Sequence, residues 1–195
     1  MLFKMVTRKT KETEITVKLD LNGTGKSKIN TGINFLNHML ELFAKHGTYD
    51  LEVNAKGDLE VDQHHLVEDT GIVLGETFDK ALGDRKGINR AGFFAMPMDE
   101  ALSIFAIDIG GRPSLKFDVK FGKDKIGDLD SELVYDFFEA FSNNLKCNIH
   151  VRNFGGRTDH HKLEAVFKAF GRALKMAVSK DKSLKDSIPS TKGLI

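Results

Sequence analysis

The sequence has one cysteine, Cys147, among 195 residues. That excludes an internal disulfide and any cysteine-built zinc knuckle, and it fits a reducing compartment. Charge of either sign is not in excess: 29 Lys and Arg stand against 28 Asp and Glu, for a net charge of +1. A broad basic surface for non-specific nucleic-acid binding is thereby excluded, while a local cationic pocket is not. No apolar run approaches the roughly eighteen residues of a membrane span, and Met1 to Met5 is too short for a signal-peptide core. A cytoplasmic chain without membrane or nucleic-acid partners is the expectation. Low-complexity segments and linkers are also missing. What remains, 41% hydrophobic and 29% charged, suits one compact unit or two small fused ones. With thiolates gone, any metal must take His and carboxylate ligands, and seven histidines are available.

Those histidines repeat. His64-His65-Leu66-Val67-Glu68 recurs as His160-His161-Lys162-Leu163-Glu164, an offset of 96 residues (64 to 160), close to half the chain. At the same offset Leu74-Gly75 aligns with Phe170-Gly171. Two related halves follow, 1–85 and 86–195, forming one integrated unit joined near Gly83–Gly87. In the first half Ile15, Val17, Leu19 and Leu21 alternate as a strand, and the turn residues Asn22-Gly23-Thr24-Gly25 predict a hairpin to Lys26–Asn30. Phe35, Met39, Leu42 and Phe43 predict a helix capped by Gly47, then Leu51–Ala55 a strand and His64–Leu82 a second helix. In the second half, strands are expected at Ala101–Ile109, Leu115–Phe121 and Cys147–Arg152, with helices at Leu133–Leu145 and His160–Val178. The tail after Ser179 has loop chemistry. The expected class is α+β: an internal duplication, each half a small β-sheet with helices packed on one face.

On a helix, residues three and four apart share a face, so Glu68 and Glu164 can each share a metal with either neighbouring histidine. Adjacent imidazoles diverge by about 100°, so each pair suits two ions better than one. One such motif is most simply a surface pair; two in repeat register point to a two-metal site. Imidazole and carboxylate admit Mn, Fe, Co, Ni or Zn, and octahedral Mn(II) suits the mixed donor set. His38 on an apolar helix and His150 in a strand are even between structural and ligating roles. Arg90 beside Gly92, Arg112 after Gly110-Gly111, and Lys192 before Gly193 offer cations to an anion, although each alone is more simply a solvated charge. Asp99-Glu100 and Glu12 offer carboxylates for proton transfer or for turn capping.

His38-Met39-Leu40, His64-His65-Leu66-Val67-Glu68-Asp69, Pro97-Met98-Asp99-Glu100-Ala101-Leu102, His160-His161-Lys162-Leu163-Glu164-Ala165 and Pro189-Ser190-Thr191-Lys192-Gly193 together resemble the imidazoleglycerol-phosphate dehydratases, in order and spacing along essentially the whole chain. The resemblance implies two Mn(II) ions per active site, a small phosphorylated imidazole substrate, and trimers assembled into a 24-subunit shell with sites between subunits. By motif, one ion takes His38, His65, His160 and Glu164 and the other His64, Glu68, His150 and His161, not all from one chain. Arg90, Arg112, Lys168, Ser190 and Lys192 meet the phosphate; Glu12, His46 and Asp99 complete the pocket, with Glu12, Asp99 and Glu164 handling protons. Asn37 departs from the family's usual Asp and puts the orientation of His38 in question; Leu42 stands where Gln is frequent. A di-metal phosphoesterase would want bridging Asp residues, and a metal-storage shell would have no use for Arg90, Arg112 and the Ser190-Thr191-Lys192 tail.

Overall fold

The computed structural model describes residues 3–185, 187–193 and 195. The elements run β1 (Phe3–Lys9), β2 (Thr13–Asp20), β3 (Ser27–Asn30), α1 (Asn34–Gly47), β4 (Asp50–Gly57) and α2 (His64–Leu82), then β5 (Ala91–Met98), β6 (Ala101–Asp108), β7 (Ser114–Asp118), β8 (Lys125–Ile126), β9 (Leu129–Asp130), α3 (Leu133–Leu145), β10 (Asn148–Asn153) and α4 (Asp159–Val178). One sheet has the order β1-β2-β4-β3 and the other β5-β6-β10-β7. The same path is traced twice, with the inner strands antiparallel and the last strand parallel to its neighbour in both. The duplication expected from the histidine motif is therefore a duplication of fold.

Each sheet is covered on one face by its own two helices, and the helices meet crosswise, α2 on α3 and α1 on α4. Alternation dictates this: along β2 every second residue from Thr13 to Leu19 is buried while its neighbours are not. Gly75 and Gly171, aligned by the repeat, mark the two close helix contacts. A Cβ at Gly75 would stand 2.8 Å from the Phe141 carbonyl oxygen, and one at Gly171 would stand 2.5 Å from that of Phe43. Phe170 links the halves, stacking on Phe43 at 4.4 Å and Phe105 at 4.9 Å between ring centroids. Burying such rings contributes about 1.5–3 kcal/mol each. Cys147 lies in this core, where burial pushes its thiol up and leaves it inert. No helix among the described residues is long and apolar enough to cross a membrane.

Three expectations are corrected. The hairpin from β2 to Lys26–Asn30 does not form: β3 pairs in parallel with β4, which lies between it and β2. The turn signal at Asn22–Gly25 is real, but Asp50 captures the loop, accepting from the Thr24 and Lys26 backbone N–H groups at 2.8 and 3.0 Å. The cap of α1 is Thr48, in the left-handed region at φ 55°, and Gly47 instead makes room for the Tyr49 ring. Strand β1, strand β5 and the β8–β9 hairpin were not expected. The first two are edge strands with weak alternation, and Pro97 interrupts the second.

Candidate active site

Helix α4 begins after Thr158, whose side chain accepts from the His161 backbone N–H at 3.2 Å. Its first turns carry His160, His161, Glu164 and Lys168. Helix α1 packs across it and brings His38 onto the same carboxylate. His38 Nε2 lies 2.8 Å and His160 Nε2 3.3 Å from Glu164 Oε1, while Lys168 Nζ donates to Oε2 at 2.8 Å. Glu164 is 6% exposed. Burial alone would raise its carboxyl, but the Lys168 ammonium and the His38 ring outweigh that and hold it at about 2. Phe35 walls the cluster, its ring 5.0 Å from that of His160. Asn37, the departure from the family pattern, faces Thr31: its Oδ1 accepts from the Thr31 N–H at 2.9 Å and hydroxyl at 2.7 Å. That task needs only an acceptor, so an amide oxygen performs it as a carboxylate would. Leu42 packs on the core.

The second histidine of each pair is held alike. His65 Nδ1 lies 3.1 Å from Asp58, and His161 Nδ1 lies 2.8 Å from Glu100. A carboxylate on Nδ1 fixes the tautomer and leaves Nε2 as the ligating atom, as metal-binding histidines usually require. Asp58 is thus a residue of the cluster without an advance role in the sequence, and Glu100, expected to transfer a proton or cap a turn, is instead set on His161. Glu100 also accepts from the Arg157 and Thr158 N–H groups at 2.9 and 3.2 Å, locking the start of α4. Asp99 lies 3.8 Å from His161 Nε2, at φ 45° in a tight turn that strains a non-glycine residue. Glu12 is exposed on the β1–β2 turn, where its backbone oxygen accepts from Asp58 N–H and its charge acts on His65.

Of the first expected ligand set, His38, His160 and Glu164 come together, their ligand atoms all within 4.8 Å of one another, and His65 stands apart. This trio of two nitrogens and a low-pKa carboxylate fits a borderline divalent ion. The second set is dispersed within the chain: His64 faces Asp136 at 3.9 Å, His161 joins Asp99 and Glu100, and His150 is exposed on the outer face of β10. Glu68 is half-buried, and its neighbour Asp69 accepts from Arg8 and Thr13 across to the sheet.

Arg90, Arg112, Ser190 and Lys192 line one cavity of about 270 Å³ with Gly110, Gly111 and Thr191. Lys168 is not among them; it belongs to Glu164 and to the Met98 thioether, 2.9 Å away. Arg90 is itself engaged, donating to Asp108 at 2.6 and 2.9 Å and to the Pro189 carbonyl at 2.9 Å. That last bond, with Gly87 N–H to the Ser187 carbonyl, ties down the tail after Ser179. His46 Nδ1 is buried with no partner, and burial together with the Lys168 and Arg172 charges pushes its pKa down. A neutral imidazole with a free buried nitrogen is an unspent polar contact.

The family model described as imidazoleglycerol-phosphate dehydratase matches residues 31–174, which span both clusters. The chain belongs to that family. An imidazoleglycerol-phosphate dehydratase of Koribacter versatilis is 53% identical over 188 residues, covering 96% of each chain. One of Caldicellulosiruptor saccharolyticus is 52% identical over 97% of this chain and 96% of its own. The crystal structure of the Staphylococcus aureus dehydratase superposes with a TM-score of 0.82 at 38% identity, over 91% of this chain and all of that one. The duplicated α+β fold and the hydro-lyase class stand on these likenesses.

Proposed function

We propose that the chain dehydrates imidazoleglycerol phosphate to imidazole acetol phosphate, a step of histidine biosynthesis, using two Mn(II) ions per active site. The observation that carries the reading is the His38–His160–Glu164 trio, a buried carboxylate held ionised between two imidazoles, in a chain of this family. His65 completes that set, and His64, Glu68, His150 and His161 form the other, with ligands drawn from neighbouring chains. When bound, the two ions supply Lewis acidity at the substrate ring nitrogens, which favours the imidazolate form.

The chain's own groups do the rest. The carbon that loses its proton has no adjacent carbonyl, so the electron sink must be the ring: the ring pushes out the hydroxyl on the carbon beside it, which takes a proton and leaves as water, the next carbon becomes acidic, and loss of its proton gives an enol that tautomerises to the ketone. Glu12, solvent-facing beside His65, takes that proton; Asp99 beside His161 is the second proton-handling carboxylate. Asp58 and Glu100 orient the histidines, and Lys168 keeps Glu164 charged. Arg112, Ser190 and Lys192 hold the phosphate in a pocket that Arg90 and Asp108 build. His46 lends its unspent nitrogen to the substrate pocket.

Dispersal of the second ligand set in one chain, and exposed apolar side chains such as Phe93, Phe154 and Val61, support an assembly of trimers into a 24-subunit shell with sites between subunits. We place the enzyme in the cytoplasm. Incubation with imidazoleglycerol phosphate and Mn(II) tests the reading: the ketone product is expected. Release of inorganic phosphate, or tight metal binding without turnover, contradicts it.

A further inference from the structure

Among the described residues the first half has no counterpart of the β8–β9 hairpin, whose hydrogen bonds reach the starts of the two helices that carry the first-half histidines. The residue before α1, Ile33, and the residue before α2, Gln63, provide no side-chain cap. Asp128, in the turn of the hairpin, supplies one to α1. Its Oδ1 accepts from the Phe35 N–H at 2.7 Å and its Oδ2 from the Asn34 N–H at 2.8 Å and side-chain amide at 3.0 Å. The hairpin also grips Gln63: the Asp128 carbonyl accepts from Gln63 Nε2 at 2.6 Å, and Gln63 Oε1 accepts from the Asp130 N–H at 3.0 Å. Gly127, at φ 61°, lies so close that a Cβ there would stand 2.9 Å from the Phe35 ring. That ring is in turn against His160. Ile126 and Leu129 anchor the hairpin in the core.

We propose that Asp128 is a positioning residue for the dehydration, its carboxylate acting through the start of α1 to set His38 and His160 on Glu164. One carboxylate from the second half thus registers the first half's His38 against the second half's own ligands. The inference rests on the metal-site reading above. A helix cap elsewhere stabilises without touching the site; this one fixes a helix whose fifth residue is His38 and whose second residue packs on His160.

The test compares Asp128→Ala and Asp128→Asn with Asp50→Ala, which removes a carboxylate of the same kind, with two backbone N–H donors, at the opposite end of β4 from Asp58 and His65. Mn(II) binding by calorimetry, kcat and KM for imidazoleglycerol phosphate, and Tm are read for each. Asp128→Ala should weaken Mn(II) binding about ten-fold, the lower range for an outer partner of a ligand, and lower kcat with little change in KM. Asp128→Asn, which keeps one acceptor oxygen, should recover part of both. Asp50→Ala should lower Tm comparably and leave metal affinity and kcat unchanged. Should Asp128→Ala not fold, Asp128→Asn against Asp50→Asn makes the same comparison. If wild-type protein binds Mn(II) and Asp128→Ala binds it equally with unaltered kcat, the positioning role is wrong and the metal site stands. If wild-type protein binds no Mn(II), the site reading fails and takes this inference with it.

Discussion

The two copies of the His-His-x-x-Glu motif lie on equivalent helices but do different things. On α4, Glu164 is buried and surrounded by His38, His160 and Lys168. On α2, Glu68 has no hydrogen-bond partner among the described residues, and its two histidines turn to Asp136 and Asp58. The difference follows from what crosses each helix. Helix α1 delivers a histidine to α4, whereas α3, the repeat partner of α1, has none to offer: its sequence from Leu133 to Leu145 is rich in Phe and packs as core. Of the two proposed ligand sets, one has three members together inside the chain, His38, His160 and Glu164, and the other has none among the described residues. On the proposed reading neighbouring copies supply what each set lacks, which makes assembly part of the proposed chemistry.

The largest effect is expected from exhaustive chelation, which should abolish turnover and shrink the particle seen by light scattering, because ligands shared between chains then lose what joins them. A large particle of unchanged size after chelation would break the contrast between gathered and dispersed sets. Next comes Lys192→Ala. Lys192 is exposed and no side-chain bond of it is made within the described chain, so folding and metal content should be nearly intact while kcat/KM falls by about 1–3 kcal/mol, the worth of a charged hydrogen bond. An analogue without phosphate should be indifferent to the substitution, and unchanged turnover at limiting substrate would remove the tail from the site. The smallest effect concerns acid stability at Asp128. Burial raises its pKa, but the Phe35 and Asn34 N–H groups outweigh that and leave it below the ordinary 3.8. A carboxyl lowered in the folded state contributes stability above its unfolded pKa and loses it as pH falls further, so wild type should lose Tm below about pH 4 more steeply than Asp128→Asn. Parallel acid limbs would show that the cap does not titrate with folding.

Much of this was legible in the sequence, for identifiable reasons. Helices α2 and α3 begin and end where periodicity places them, and the repeated motif announced the duplication, because long amphipathic segments carry their own period. Arg90, Arg112, Ser190 and Lys192, expected to meet a phosphate, share a cavity although they are spread over a hundred residues, and only the resemblance to known dehydratases gathered them beforehand. What the sequence concealed is tertiary. Asp58 and Asp128 are ordinary turn carboxylates until folding sets them on His65 and the start of α1, Glu100 stood out only for proton transfer or capping and not for its tie to His161, and no local period records such partners. The misplaced hairpin has the same origin: its turn signal was sound, but the choice of pairing partner belonged to β4.

The most direct test counts bound Mn(II) per chain, by metal analysis of the assembled protein after equilibrium dialysis, in wild type, Glu164→Gln and Glu68→Gln. A neutral amide is a poorer ligand than a carboxylate, so the account predicts two ions per chain in wild type and loss of one in each variant, a different one each time. Full occupancy in both variants would contradict it.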